Sequence, residues 1–369
     1  MRAHAEVTNG KKLKVCYVGP YDPEYPRNRV VIKGLRKNGV EVIECNARSN
    51  IRLLDYLKLL KKYRTLNYDV VMLGARGAYY GQLLMAFMKR AANKPTVFDA
   101  VLTLYETEVV DRKHVDSKSV KAKLWYLLDN SALHDANLVL SDTYTRAKYY
   151  SEFYNVEFDK IGRVLVGSDD EVFYPRQQKK YEENDCFLVM FWGGFIPLQG
   201  VKYIVRAAKL LEGHKYIKFE LRGFGQTYNK ALELSKSLRV KNVTFVPKWV
   251  SYNELPDHIA KADLCLGIFG ETEKAQRVIP NKAVEALAMR KPLVTGDSPA
   301  AREILKDREN CVLVPMANPK ALAEAILTLK SDKKLRNKIA ENGYQLFKEK
   351  LIPEAIGRKL KKLLIKLVF

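Results

Sequence analysis

The sequence is poor in the residues that build disulfide frameworks and metal sites. It has five cysteines and five histidines in 369 residues, and neither set has a spacing that is typical of a zinc site. The cysteines are scattered over mostly apolar runs, as reduced core cysteines are: Cys16, Cys45, Cys186, Cys265 and Cys311. We therefore expect a protein that works without a metal ion or a bound cofactor.

Long apolar runs are also absent. No run reaches the roughly 18–20 residues that a membrane-spanning helix needs. Residues 1–19 lack the apolar core of a signal peptide. The sequence therefore predicts a cytoplasmic protein, and peripheral attachment to the inner face of the cell membrane stays open.

Acidic residues are few beside the basic ones: 42 Asp and Glu stand against 64 Lys and Arg, a formal net charge of +22. Such a charge calls for anionic partners. Nucleic acid is not expected, because the basic residues are spread over helical stretches and no nucleic-acid motif is present. Anionic lipid is the better candidate, since residues 52–64 place Leu53, Leu57 and Leu60 on one helical face and most of their lysines elsewhere. An ordinary helix packed on a sheet is the open alternative, and that alternative is favoured for residues 357–369, which repeat the pattern.

Twelve short apolar runs alternate with helical stretches, six in each half of the chain. They lie at 14–19, 40–45, 69–74, 95–101, 136–141, 162–167, 186–192, 217–223, 243–247, 262–269, 292–296 and 311–315. This alternation predicts parallel sheets with right-handed crossovers, and the length predicts two domains. We expect an N-terminal domain at 1–175, a polar linker at 176–185, a C-terminal domain at 186–352 and a last helix at 353–369.

The most informative segment is RVIPNKAVEALAMRKPLV at 277–294. Pro280 and Asn281 indicate a helix start with Asn281 as the N-cap residue. We predict a short helix over 283–289 and a strand over 292–295. The N-terminus of such a helix presents unpaired N–H groups and favours an anion such as a diphosphate.

Two charged side chains add to this predicted site. Lys282 in the first turn contributes a full positive charge, and Glu285, one turn further on, is placed to accept hydrogen bonds from sugar hydroxyls. A cation and an acceptor beside a helix N-terminus suit a sugar nucleotide.

The segment resembles the P-x-K-x-x-E-A-L-A-x-G-x-P core of retaining glycosyltransferases of family 4, also called glycosyl transferases group 1. Three further segments resemble the family in the right order: 166–175 its N-G-x-D-x-x-x-F-x-P, 193–200 its donor-domain turn, and 298–304 its small-residue loop before an E-I helix. The resemblance implies an α/β protein with the GT-B fold, in which two Rossmann-like parallel-sheet domains face each other across a cleft. The N-terminal domain would bind the acceptor and the C-terminal domain the nucleotide sugar.

Glycines that follow predicted strands are candidate phosphate contacts, because the backbone can approach a ligand closely there. Gly193 and Gly194 follow the run 186–192. Arg222 and Gly223 are the last two residues of the run 217–223. Gly19 would be the acceptor-domain counterpart. A plain tight turn remains the alternative at each position.

Acidic candidates come from the resemblance. Asp99 ends the run 95–101, where family members carry polar or acidic residues near the transferred sugar; a helix cap or a salt-bridge partner is the alternative. Glu303 lies in the segment that resembles the E-I helix and is assigned to substrate binding.

The chain also departs from the family. Many members carry an Arg and, five residues later, a Lys in the donor-domain turn, where this chain has Gly194 and Gln199. The first of the family's two glutamates falls on Arg277. Two interpretations follow: Arg277 and Lys282 neutralise the departing diphosphate in place of the missing pair, or the chain has lost catalysis and only binds. We favour the first, because Arg277 compensates chemically for the lost cations, and we assign Asp99, Arg277 and Lys282 to catalysis and Gln199 to substrate binding.

The sequence therefore predicts a hexosyltransferase-type glycosyltransferase. It would move a sugar from a nucleotide-diphosphate sugar to a hydroxyl of a glycan or lipid-linked acceptor, without a metal, as in polysaccharide biosynthesis. The family resemblance implies that the transfer proceeds with retention. The alternatives are a catalytically inactive sugar-nucleotide binding protein and a basic nucleic-acid binder. UDP, GDP and ADP are not distinguished as the donor nucleotide.

Overall fold

The structure is a computed structural model that describes residues 12–19, 21–46, 66–74, 94–176 and 186–369. Elements are numbered along these residues. The chain divides into two compact units. The first comprises Met1–Val109, Lys113–Gly167 and Ile352–Phe369, and the second Val110–Arg112 and Ser168–Leu351.

The first unit is built on a parallel six-stranded sheet with the strand order β2-β1-β3-β4-β5-β6. The strands are β1 (Lys14–Gly19), β2 (Glu41–Asn46), β3 (Val70–Leu73), β4 (Thr96–Asp99), β5 (Leu138–Ser141) and β6 (Ile161–Arg163). The helices are α1 (Pro26–Lys37), α2 (Val120–Asp135), α3 (Tyr144–Tyr154), a 3-10 turn (Phe158–Lys160) and α10 (Pro353–Val368). A π-helix (Tyr105–Asp111) begins in this unit, and its last two residues are assigned to the second.

Both faces of this sheet are buried. Successive side chains of a strand point to opposite faces; in β1, Val15 and Tyr17 join one core and Cys16 and Val18 the other. A strand that is apolar at every position needs cover on both sides, as in parallel sheets flanked by helices. The last helix, α10, covers the Val15 face with Ile356, Leu360 and Leu364.

Two glycines allow α1 and α10 to cross closely. A Cβ atom on Gly357 would lie 2.0 Å from the carbonyl oxygen of Gly34, and one on Gly34 would lie 2.2 Å from the carbonyl oxygen of Pro353. Beside the crossing, Asn38 Nδ2 donates to the carbonyl oxygen of Glu354 at 2.9 Å. The crossing has no room for a side chain at either glycine.

The second unit contains a parallel six-stranded sheet with the order β12-β11-β10-β7-β8-β9. Its strands are β7 (Phe187–Trp192), β8 (Ile217–Arg222), β9 (Val243–Val246), β10 (Leu264–Leu266), β11 (Leu293–Asp297) and β12 (Val312–Pro315). Its α-helices are α4 (Val201–Leu210), α5 (Tyr228–Ser237), α6 (Leu255–Ala260), α7 (Asn281–Ala288), α8 (Pro319–Ser331) and α9 (Lys333–Lys350). Short 3-10 turns span Pro197–Gln199, Glu273–Gln276 and Ala301–Glu303.

Each of the twelve predicted runs overlaps one of these strands, and the two parallel sheets confirm the predicted α/β fold class. The run 162–167 is the poorest match, because β6 ends at Arg163. The carbonyl oxygens of Val164 and Leu165 accept from Arg27 Nη1 at 2.8 and 2.7 Å. A buried side chain thus takes the place of further strand pairing at this edge of the sheet.

The predicted N-cap role of Asn281 is wrong. Pro280 is the N-cap residue, with an extended backbone (φ −74°, ψ 147°), and α7 begins at Asn281. The carbonyl oxygen of Pro280 accepts from the N–H of Ala283 at 3.0 Å, as that of an N-cap residue does. Because proline is held near this φ value, it suits the extended residue before the helix, and Asn281 falls into the first turn.

Some predictions fall on residues that the structure does not describe. The basic segment 52–64 lies outside the described residues, and so does the linker segment 176–185 except for Arg176. Within the described part of the chain, no helix combines the length and the apolar character that a bilayer crossing requires.

We predict that Gly357→Ala lowers the free energy of unfolding by about 1–3 kcal/mol, the usual cost of overpacking, because its Cβ would meet the α1 backbone. The matched control is Gly213→Ala, where a Cβ meets nothing within 4 Å and stability should stay level or rise slightly. Urea unfolding of both variants checks this; equal midpoints would contradict the close crossing.

Candidate functional site

Lys282 is a buried cation in the first turn of α7, with only 5 % of the residue exposed. Its Nζ donates to Oε1 of Gln199 and lies 4.2 Å from the centre of the Phe191 ring. A Cβ atom on Gly193 would lie 3.4 Å from the same Nζ. The ammonium is therefore held next to the turn that follows β7, and the hydrogen-bond acceptor that it contacts is a neutral amide.

Glu285 lies one turn further along α7 and is equally buried. The indole Nε1 of Trp192, the last residue of β7, donates to its Oε2 at 2.7 Å. Burial lowers the pKa of Lys282 to about 7 and raises the pKa of Glu285 to about 7. For each group the loss of solvation outweighs the attraction of the other charge. An arriving anion would favour the charged form of Lys282.

The turns after β7 and β8 pack backbone against backbone. Gly193 and Gly223 have φ values of 119° and 117°, a region that glycine tolerates and other residues rarely adopt. A Cβ on Gly223 would lie 2.2 Å from the carbonyl oxygen of Gly193, and the N–H of Gly193 donates to the carbonyl oxygen of Arg222 at 3.0 Å. These turns lie at the carboxyl ends of parallel strands, the edge where such sheets bind ligands.

Two exposed aromatic rings stand beside these turns. Phe224 and Trp249 are 44 and 54 % exposed, and their ring centres are 5.3 Å apart in an edge-to-face arrangement. The Trp249 ring is 4.0 Å from the position of a Cβ on Gly194. Their position beside the glycine turns makes this pair a candidate part of the site.

The predicted arginines already contact carboxylates. Arg277 pairs with Glu273, four residues before it. Arg222 Nε and Nη2 lie 3.0 and 2.9 Å from Glu220 Oε1. A diphosphate would have to compete with these carboxylates for either guanidinium.

Glu271 and Glu303 are two further acidic residues of the second unit. Glu271 pairs with Lys202 at 2.9 Å on the surface. Glu303 is half-buried in the 3-10 turn after β11. Of the predicted site residues in the second unit, hydrogen bonds thus join Gln199 with Lys282 and Gly193 with Arg222, and Gly223 packs against the backbone of Gly193.

In the first unit, Asp99 has the salt-bridge role that was its alternative. Its two carboxylate oxygens accept from Nε and Nη2 of Arg27 at 2.9 and 3.1 Å, and both side chains are fully buried. A carboxylate that is engaged on both oxygens suits a structural role better than the predicted catalytic one. Gly19 ends β1 with a φ of 134°, and a Cβ there would lie 3.1 Å from Leu73 Cδ1.

This unit contains a second buried charge cluster, which was not predicted from the sequence. Arg146 Nη1 lies 3.1 Å from Asp142 Oδ1, and Nη2 lies 3.9 Å from Glu106 Oε2 on the π-helix. Burial raises the pKa of Asp142 above its ordinary value. The available signal was the position of Asp142 directly after β5, at the same end of the sheet as Asp99, the last residue of β4. Phe191 and Trp192 were not predicted as site residues either, because in the sequence they are ordinary apolar residues of a strand.

Comparison with known sequences places a family domain in the C-terminal half. Residues 174–346 match the family model described as Glycosyl transferases group 1. The chain is 24% identical over 265 residues to an uncharacterized glycosyltransferase, MJ1178, of Methanocaldococcus jannaschii, covering 67% of this chain and 73% of that protein. It is also 24% identical over 194 residues to the α-D-kanosaminyltransferase of Streptomyces kanamyceticus, covering 52% and 49% of the two chains.

Solved structures share the whole fold. HepE (Alr3699) of Anabaena in complex with UDP-glucose superposes with a TM-score of 0.75 at 15% identity, covering 97% of this chain and 100% of that chain. Sucrose-phosphate synthase of Thermosynechococcus elongatus superposes with a TM-score of 0.74, also at 15% identity, covering 97% and 99%.

The two parallel-sheet units and these superpositions define the GT-B class of folds. With a glycosyl transferases group 1 domain over residues 174–346, the chain is a glycosyltransferase, as the sequence predicted.

The buried ammonium generates a stability prediction. The pKa of Lys282 in the folded protein, about 7, lies below the ordinary 10.5. Burial of the ammonium therefore lowers the free energy of unfolding most below pH 7, and this loss of stability decreases as the pH rises toward 10.5. Each pKa unit is worth about 1.4 kcal/mol. We expect Lys282→Met to raise the free energy of unfolding by a few kcal/mol at about pH 6 and by less at about pH 9.

The control for this prediction is Lys291→Met. Lys291 is also a lysine whose pKa is lowered by burial, but its Nζ donates to the carbonyl oxygens of Ala260 and Ala262 at 2.6 and 2.7 Å. Losing these bonds should lower stability. Denaturant unfolding at the two pH values measures both variants, and a Lys282→Met protein less stable than the wild type at low pH would contradict the prediction.

Proposed function

We propose that this glycosyltransferase takes a sugar from a nucleotide-diphosphate sugar and transfers it to an acceptor hydroxyl. The observation that carries the proposal is Lys282: a buried ammonium at a helix N-terminus, bonded to a neutral amide and next to the glycine turn after β7. A diphosphate supplies the negative charge that this ammonium lacks at close range, and the free N–H groups of the first turn of α7 favour the same anion.

The proposed chemistry rests on positioning and electrostatics. As the bond between the sugar and the diphosphate breaks, negative charge develops on the departing diphosphate, and a buried cation stabilises that charge more strongly than an exposed one. We propose that Arg277 exchanges Glu273 for the diphosphate and adds a second positive charge. Transfer with retention and without a metal is part of the proposal; the resemblance of residues 280–292 to retaining enzymes supports retention.

We further propose that the nucleoside stacks on the pair formed by Phe224 and Trp249. Exposed aromatic rings are suitable platforms for a nucleobase, and this pair adjoins Gly194 in the turn that would hold the phosphates. Uridine is our first candidate, because HepE, which shares the fold, was crystallised with UDP-glucose. Glu285 is placed to accept from sugar hydroxyls.

For the acceptor we propose a hydroxyl of a glycan or a lipid-linked sugar. One sequence relative, 23% identical over 172 residues, is the lipopolysaccharide core biosynthesis glycosyltransferase LpsE of Rhizobium meliloti. A second candidate function is a protein that binds nucleotide sugars without transfer. The pairing of Arg277 with Glu273 favours it, and the absence of any hydrolysis or transfer of bound UDP-glucose would identify it.

Calorimetric titration with UDP and with inorganic pyrophosphate tests the placement of the site. Lys282→Ala should weaken both ligands by about tenfold or more, as the loss of a charge-assisted hydrogen bond does. Trp249→Ala should weaken UDP by a similar factor but leave pyrophosphate unchanged, since it removes only base stacking.

Two surface changes in the same unit serve as controls. Lys202→Ala removes an exposed lysine that pairs with Glu271, and Tyr216→Ala removes an exposed aromatic ring. Neither should change the affinity for either ligand. Unchanged UDP affinity in Lys282→Ala would show that the diphosphate does not bind at this helix end. Equal losses of affinity for UDP and pyrophosphate in Trp249→Ala would show that the base does not stack on the aromatic pair.

A further inference from the structure

An exposed apolar stripe runs along the first two turns of α2 in the first unit. Val120, Leu124 and Leu127 are 87, 49 and 50 % exposed, and their spacing of four and three residues puts them on one face of the helix. The opposite side packs into the unit through Ala122, Ala132 and Leu133. This helix is therefore apolar on both sides, which is unusual for a helix that has one side in water.

Lysines lie around the N-terminal end of the stripe. Lys118, Lys121 and Lys123 are exposed around its first turn, and the one exposed acid in the adjoining loop is Asp116. The Asp129 carboxylate of the same helix is buried and accepts the N–H groups of residues 104 and 105 at 3.0 and 2.7 Å, so it faces inward. The N-terminal part of the apolar stripe thus has a positively charged border.

Aromatic residues join α2 to the neighbouring helix α3. Phe153 is 40 % exposed, and its ring centre lies 5.7 Å from that of Tyr126 on α2 and 5.1 Å from that of Tyr149. Aromatic side chains with an apolar body are typical of the interface between membrane and water.

We propose that this face of α2 docks on an anionic lipid surface. Val120, Leu124 and Leu127 enter the boundary between headgroups and acyl chains, and the lysines meet the lipid phosphates, as in helices that lie in the membrane plane. A second copy of the chain is a poorer occupant, because a self-complementary contact would bring the lysines of two copies together. The proposal concerns an element other than 52–64 and does not depend on the donor site.

The test is co-sedimentation of the full chain with vesicles of phosphatidylcholine alone or mixed with phosphatidylglycerol, at low salt. The wild type should bind the anionic vesicles and not the neutral ones. Replacing Val120, Leu124 and Leu127 together by Ser, or Lys118, Lys121 and Lys123 together by Glu, should each reduce the bound fraction by about tenfold.

A matched charge control separates this face from the overall charge of the protein. Changing Lys333, Lys334 and Lys338 on α9 to Glu alters the net charge by the same amount at exposed positions of the other unit and should keep most of the binding. Far-ultraviolet circular dichroism and the thermal midpoint confirm that each variant folds. Equal loss in the α9 variant, no binding by the wild type, or a wild-type dimer that the Ser variant abolishes would each overturn the proposal.

Discussion

The burial of Lys282 and Glu285 is the constraint on which the candidate donor site depends. Two opposite charges are removed from water, and their mutual attraction does not compensate for the lost solvation. The fold holds them by contacts from the end of β7: Phe191 lies under the ammonium and Trp192 donates to the carboxylate. Buried charges that cost stability are retained where function needs them, and an ammonium poised near neutral pH responds strongly to an anion.

The architecture could be predicted from the sequence because it follows from local patterns. A run such as KVCYVG at 14–19 is apolar on both faces, and strands of this kind separated by helical stretches form parallel sheets. The ends of the strands and helices were harder to predict. β6 stops at Arg163 because Arg27, far away in the sequence, takes the next two carbonyl oxygens, and α7 begins at Asn281 because the preceding proline already has the extended conformation of an N-cap residue.

The sequence indicated candidate site residues but not the partners that they contact. Residue types around a helix start indicated Lys282 and Glu285, because anion binding at a helix N-terminus is a local property. Partner choice depends on contacts distant in sequence: Gln199 contacts Lys282 across 83 residues, and Asp99 meets Arg27 across 72. Trp192 and Phe191 were not singled out, since nothing in an apolar strand shows that its last rings will enclose two charges.

The most direct test of the central role of Lys282 counts protons. UDP is titrated by calorimetry at about pH 8, above the phosphate pKa near 6, in two buffers of different ionisation enthalpy. If the diphosphate binds the buried ammonium, the wild type takes up a proton with the ligand, because the lowered pKa of Lys282 rises again beside an anion. This uptake should persist in Glu285→Gln and fall strongly in Lys282→Met, where of the two buried groups only Glu285 can still take up a proton. Binding without proton uptake in the wild type, or uptake unchanged in Lys282→Met, would contradict the account.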